Sequence, residues 1–180
     1  MKSLKTGILA LIVAIFSVGM VWAQEPAPEG YRFGTGDKIF IKVFDESDLT
    51  METIVGSSGT INYSFLGQVQ VAGRTSGELE EELTRLLADG YLLNPSVNVS
   101  VIEYRPFFIN GEVKKPGGYP FQPGLTLEKA VAIAGGLTDR ASKRKIYLQA
   151  ATQSDSKKQK VSMDERIAPG DIITVEEGFF

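Results

Sequence analysis

YRFGTGDKIFIKVF, Tyr31 to Phe44, is the stretch whose reading decides the fold. Its second half alternates, with Ile39, Ile41 and Val43 on one side and Phe40, Lys42 and Phe44 on the other. A period of two marks a strand buried over most of one face. Gly34-Thr35-Gly36 ahead of it invites comparison with a phosphate loop, but a dinucleotide site needs a strand before its glycines and a helix after them. Here a strand follows. The segment is therefore a turn in which the Asp37 side chain accepts backbone hydrogen bonds. Gly170-Asp171, ahead of Ile172 to Val175, repeats the device near the other end of the chain, and neither aspartate is read as catalytic.

Working outward from β-type patterning, turn residues from Gly56 to Gly67 surround an extended piece, Thr60 to Phe65, and Gln68 to Val71 alternates again before Gly73 stops it. Thr75-Ser76-Gly77-Glu78 has capping-box spacing, because a Thr cap and a Glu three residues on can each bond the other's backbone donor. Leu79, Leu83, Leu86 and Leu87 follow at helical spacing, Glu81 is placed to pair with Arg85, and Gly90 closes the helix. Val97, Val99 and Val101 restart a period of two, and Pro106 marks the seam after them. A domain boundary is expected near Arg105.

The second half opens with an apolar strand, Phe107 to Ile109, then turns through Lys114 to Gly118. Thr126 caps a short helix carrying Leu127, Ala130, Val131 and Ala134, which Gly135 and Gly136 end. Ile146 to Leu148 and Ile172 to Val175 read as further strands, with a polar loop from Gln153 to Lys160 between them. Each half mixes strands with one helix, so the fold class is α+β, and two small halves of this kind are expected to pack together.

Lys2 and Lys5, the apolar run from Ile8 to Val21 and the Val21-Trp22-Ala23 ending have the form of a secretory signal peptide cut between Ala23 and Gln24. The apolar segment falls short of the roughly 20 residues a spanning helix needs. Pro26 and Pro28 make 24–30 a tether. Removing the leader takes the formal charge from −3 to −5, a poor balance for general nucleic-acid binding. The chain has neither cysteine nor histidine. That removes disulfides, thiolate nucleophiles, a lipid-acceptor Cys, and every Ser-His or Cys-His arrangement. No catalytic, cofactor-binding or metal-ligating residues are expected, and Glu80, Glu81 and Glu82 are read as a solvated helix face.

Basic residues gather in the second half, among them Lys114, Lys115, Arg140, Lys143 and Arg144. Two readings stand, solvated loops or a surface that meets an acidic polymer. Tyr119 has two readings as well, stacking on a sugar ring or packing on its own domain. These six residues are the candidate glycan or partner surface.

Two stretches together resemble the bacterial polysaccharide export family. Tyr31 to Phe44, Gly59-Thr60-Ile61 with Leu66 to Gly73, and Tyr91 to Val99 are similar to its export domain. Ile109 to Tyr119, Thr126 to Ala130, Ala134 to Thr138 and Pro169 to Val175 are similar to its soluble-ligand-binding β-grasp (SLBB) domain. Ser64 departs from a Pro the family often carries there. The resemblance implies a signal peptide over 1–23, a linker over 24–30, an export domain over 31–104 and one SLBB domain over 105–180. It further implies a non-enzymatic, homo-oligomeric ring or adaptor, exported to the periplasm and associated with the outer membrane. Such a protein conducts capsule or exopolysaccharide, as in biofilm formation, alongside an inner-membrane polysaccharide co-polymerase. The sequence resembles a short member, which would need a separate outer-membrane β-barrel or pore. The rival readings are a periplasmic glycan-binding or sensing module and a DNA-uptake binding protein.

Overall fold

A computed structural model describes residues 30–151 and 157–178. The expected leader, nearly all of the tether, the first part of the polar loop, and Phe179 and Phe180 lie outside those residues. The alternation at Ile39, Ile41 and Val43 becomes β1 (Lys38–Val43), the centre of an antiparallel sheet with β2 (Met51–Ile54) on one edge and β5 (Val97–Glu103) on the other. Register places Ile39 opposite Val101, Ile41 opposite Val99 and Val43 opposite Val97, so the apolar faces of both strands coincide. A hairpin of β3 (Thr60–Tyr63) and β4 (Gly67–Gln70) adds Ile61, Tyr63 and Val69 to the same core. The buried Tyr63 hydroxyl donates to the Leu49 carbonyl at 2.6 Å, which ties the hairpin to the loop between β1 and β2.

The capping box at Thr75 forms in full, and α1 (Ser76–Ala88) runs from it. Leu79, Leu83 and Leu87, one stripe of the helix, are fully buried; burying each such side chain contributes about 1.5–3 kcal/mol. The expected Glu81–Arg85 pair does not form. Arg85 turns to Glu82 at 3.0 Å, because Glu82 also faces Arg74 and gathers both guanidiniums. Gly90 takes the left-handed conformation (φ 91°) that ends the helix.

Past Arg105 a second sheet begins, in the order β7 (Gly117–Tyr119), β6 (Phe107–Gly111), β10 (Ile172–Glu177), β8 (Ala141–Gln149), β9 (Gln159–Lys160). Its central strands β6 and β10 are parallel and the other neighbours antiparallel, while α2 (Leu127–Ile133), capped by Thr126, lies on the sheet. Leu127, Ala130, Val131 and Ala134 from the helix end join Phe107, Ile109, Ile146, Ile173 and Val175 in a core separate from the first. The whole is α+β. Tyr104 borders both cores, meeting Tyr31 edge-on at 5.0 Å and Phe121 at 5.4 Å, so the two halves touch through aromatic rings.

Lys143 and Arg144 are not in a loop. They belong to β8, whose polar first half lies between residues paired with β10, Ala141 and Ile146. Between the Val175–Ile146 and Glu177–Ala141 pairs β8 carries extra residues, and this bulge turns both side chains to solvent. Part of the expected turn at 114–118 and the end of the polar loop likewise become β7 and β9, through pairing with β6 and β8.

Candidate functional site

The two Gly-Asp turns share one geometry. In the first, Gly34 N–H donates to Asp37 Oδ2 at 2.7 Å and Asp37 N–H returns to the Gly34 carbonyl at 3.2 Å. In the second, Ala168 N–H donates to Asp171 Oδ2 at 2.8 Å and Asp171 N–H to the Ala168 carbonyl at 3.2 Å. Gly36 and Gly170, one place before each aspartate, are left-handed at φ 92° and 86°, as a Gly in this turn must be. Each carboxylate uses its other oxygen for a distant backbone amide: Asp37 Oδ1 takes Arg105 N–H at 2.8 Å, and Asp171 Oδ1 takes Ala151 N–H at 3.2 Å.

Arg105 lies between the two turns. Its guanidinium donates to Asp37 Oδ2 at 3.1 Å and to the Tyr31 hydroxyl at 2.9 Å, and Tyr31 in turn donates to Asp37 at 2.5 Å. Burial above all, then the hydrogen bond to Asp37, pushes the Tyr31 phenol far above its ordinary pKa, so it stays a donor. The next residue, Pro106, accepts from Gly170 N–H at 3.1 Å. Tyr31, Asp37 and Arg105 thus form a closed polar latch where the chain passes from the first half to the second. Sequence reasoning placed a boundary at Arg105 and missed the latch. Its chemistry is positional: three mutually satisfied groups without a nucleophile–base pair. Among the described residues no cluster of acidic side chains could hold a metal. Beside the latch, Arg32, Phe33, Gly34, Thr35, Ala72, Gly73, Arg105 and Ala151 line an open cleft.

Asp171 carries a testable pH signature. Burial, partly offset by the Ala168 and Ala151 amides and by Arg105, raises its pKa. A carboxyl whose folded pKa exceeds its unfolded value contributes stability below the unfolded value, and that contribution is lost as pH rises through the folded pKa. An Asp171→Asn variant is therefore expected to gain on the parent protein as pH rises from the acid range to neutrality, in paired urea titrations. A constant difference across that range would show that Asp171 does not titrate as stated.

Of the six candidate surface residues, five gather at one end of the second sheet. Parallel β6 and β10 finish there, Lys114 and Lys115 follow β6, and their amides donate to the carbonyls of Gly136 and Ala134. Arg140, Lys143 and Arg144 lie where β8 begins, with Arg140 bonded to Glu177 through Nε at 2.9 Å. Glu112, Asp139 and Glu176 are near this end in the chain as well, so the surface is mixed in sign. Tyr119 lies on β7 and touches one of the five, Lys115. Its ring stacks on Phe107 at 5.9 Å and its hydroxyl donates to the Lys115 carbonyl at 2.6 Å.

A turn-fed antiparallel sheet with one capped helix, joined by a polar latch to a sheet with parallel central strands, makes a two-module α+β protein. Residues 25–102 match the polysaccharide biosynthesis/export protein family, and residues 106–162 match the SLBB domain. Those spans together take in well over half of the chain, and the chain belongs to the bacterial polysaccharide export family. That membership agrees with the expectation that it is not an enzyme. It is 34% identical over 141 residues to the exopolysaccharide production protein ExoF of Rhizobium meliloti, covering 72% of this chain and 33% of that protein. It is 32% identical over 133 residues to the EPS I polysaccharide export outer membrane protein EpsA of Ralstonia solanacearum, covering 59% of this chain and 35% of that one. To the protein of the same name in Ralstonia nicotianae it is 29% identical over 181 residues, covering 82% and 47%. The chain spans a third to about half of the length of these relatives.

Proposed function

We propose that this protein is a component of capsule or exopolysaccharide export, secreted to the periplasm and associated with the outer membrane, where it forms a ring or adaptor that conducts polymer across the envelope. The observation that carries the reading is the pair of family matches in export-then-SLBB order, on two halves joined by the Tyr31–Asp37–Arg105 latch. The relatives' names, exopolysaccharide production and polysaccharide export, point the same way. On this reading 31–104 and 105–180 are its two domains. An inner-membrane co-polymerase and a separate outer-membrane β-barrel or pore are its partners. Lys114, Lys115, Arg140, Lys143 and Arg144, with Tyr119 nearby, form a surface for the polymer or one of those partners. No helix among the described residues is long and apolar enough to cross a membrane. A conduit must let its cargo go, so contacts with the polymer are expected to be weak and replaceable.

Deleting the gene and measuring surface and periplasmic polysaccharide tests this. Surface polymer is expected to fall and to return when the wild-type gene is restored; unchanged surface polymer in the deletion strain would refute the role. Light scattering of the purified protein at micromolar concentration is expected to show a homo-oligomer. A strict monomer at every concentration would remove the ring and leave a glycan-binding module.

A further inference from the structure

The tip of the β3–β4 hairpin and the loop after α1 meet at a surface that the core does not explain. Phe65 in the hairpin loop is 73% exposed, Tyr91 is 52% exposed and Leu93 is 97% exposed. The Phe65 and Tyr91 rings stand 6.1 Å apart, tilted by 35°, and the Tyr91 hydroxyl reaches the Phe65 carbonyl at 3.4 Å. Their neighbours in the chain point inward: Leu66 and Leu92 pack on the core and leave the aromatic rings outside. Phe65 also holds a left-handed backbone (φ 64°), which an aromatic residue rarely adopts. A glycine or asparagine there would relieve the backbone, so the turn alone does not call for a phenylalanine.

What could cover these rings is narrowed by charge. From Thr53 to Gly73 and from Gly90 to Ile102 there is no charged residue, although Asp, Glu, Lys and Arg make up 23% of the chain. The outward positions of the hairpin are instead exposed Asn62, Gln68 and Gln70, with Asn62 directly opposite Gln68. Asn94 and Ser96 are exposed on the neighbouring loop. These segments themselves offer no cation to an anionic bilayer, a nucleic acid or an acidic polymer, and the exposed Lys42, opposite Asn98 in the register, is held over the Phe44 ring at 4.7 Å. Amides and hydroxyls around two exposed ring faces match a partner made of hydroxyls and C–H bonds, because the face of an aromatic ring is the negative end of its quadrupole and attracts C–H hydrogens.

We propose that Phe65 and Tyr91 form a stacking platform for an uncharged stretch of glycan chain, flanked by the amide face of the β3–β4 hairpin. This rests on the polysaccharide-export reading and supplies it with a contact site in the first half of the chain, on residues other than the basic ones of the second half. Contact through two rings and a few amides is shallow, as a moving polymer requires.

The test is a titration of the 15N-labelled protein, observed by NMR, with laminarihexaose as neutral probe and a galacturonic acid hexamer as charged control. Laminarihexaose is expected to shift the amide signals of Phe65, Leu66, Tyr91 and Leu93 with a Kd of about 1 mM, and Phe65→Gly or Tyr91→Ser to weaken it about fivefold or more. Phe65→Gly is the cleaner variant, since glycine accepts the left-handed backbone and the hairpin stays folded. Absence of those shifts, tighter binding of the charged hexamer at the same residues, or unchanged binding by Phe65→Gly would overturn the platform. If the same signals respond to protein concentration and not to sugar, the surface is a protein contact and the proposal also fails. Export is scored separately in the deletion strain. Restoration of surface polymer by the wild-type gene, with no sugar shifts at the platform, rejects this inference and leaves the export role standing. Sugar shifts without any export defect reject the export role alone.

Discussion

Asp37→Ala is expected to lower the stability of the protein by about 3–5 kcal/mol in urea unfolding, because it strips a buried charge of its partner. The Asp37 side chain is fully buried and its two oxygens take four donors: Gly34 N–H, Tyr31 Oη–H, Arg105 N–H and the Arg105 guanidinium. Alanine leaves all four without their acceptor, and Arg105, only 15% exposed in its side chain, keeps a cation that water reaches poorly. The Arg105 amide is also the link between turn and boundary, so the loss should show as uncoupling. The half containing β1 to β5 is expected to unfold at lower denaturant than the half containing β6 to β10. Adding Arg105→Met is expected to recover part of the deficit, since neither member of the Asp37–Arg105 pair is then left as a lone buried ion, although Asp171 loses the nearby cation. A loss under about 1 kcal/mol for Asp37→Ala, within the range of an ordinary surface substitution, would mean the latch does not hold the halves.

The latch explains why the sequence was informative about some features and silent about others. Local features were legible. Ile39, Ile41 and Val43 alternate within six residues, the Thr75–Glu78 box closes within one turn, and the Gly-Asp turns bond within three positions. Features made by distant pairing were not. Arg105 and Asp37 are 68 residues apart, and nothing near either names the other. β2 is a short edge strand in which Glu52 and Ile54 are both exposed, so it lacks the apolar alternation that would mark it. β7, Gly-Gly-Tyr in sequence, is extended only because β6 lies beside it. In β8 the run from Ser142 to Lys145 is polar and reads as a loop, yet the pairs on either side of it, Ala141 with Glu177 and Ile146 with Val175, keep it within the strand. The same limit applies to the surfaces. The basic residues were visible as a composition bias, but only the parallel arrangement of β6 and β10 brings Lys114 and Lys115 to the end where Arg140 lies. Phe65 and Tyr91 are 26 residues apart and became a pair only in the fold.

Gly111→Ala is expected to dismantle the second sheet, lowering the melting temperature of that half by about 10 °C or more. Gly111 ends β6 in a left-handed conformation (φ 85°), which an alanine adopts at a cost of about 1–2 kcal/mol. Steric overlap adds more. A Cβ added there would stand 2.0 Å from the Val175 carbonyl oxygen and 3.0 Å from its carbon, and both are backbone atoms. Val175 cannot swing away. It pairs with Gly111 on one side and Ile146 on the other, its carbonyl accepts from Glu112 N–H at 3.0 Å, and its side chain is buried in the second core. Relief must therefore come from breaking the parallel register of β6 and β10, the centre of the sheet. Hydrogen exchange is expected to lose protection in both strands while β1 and β5 keep theirs. Gly73→Ala separates the two causes, because Gly73 has the same φ of 85° and nothing within 4 Å of an added Cβ. It should lose only what the left-handed backbone costs an alanine, about 1–2 kcal/mol. Equal losses from the two substitutions would show that backbone conformation alone matters at Gly111 and that the close approach to Val175 is relieved without disturbing the sheet.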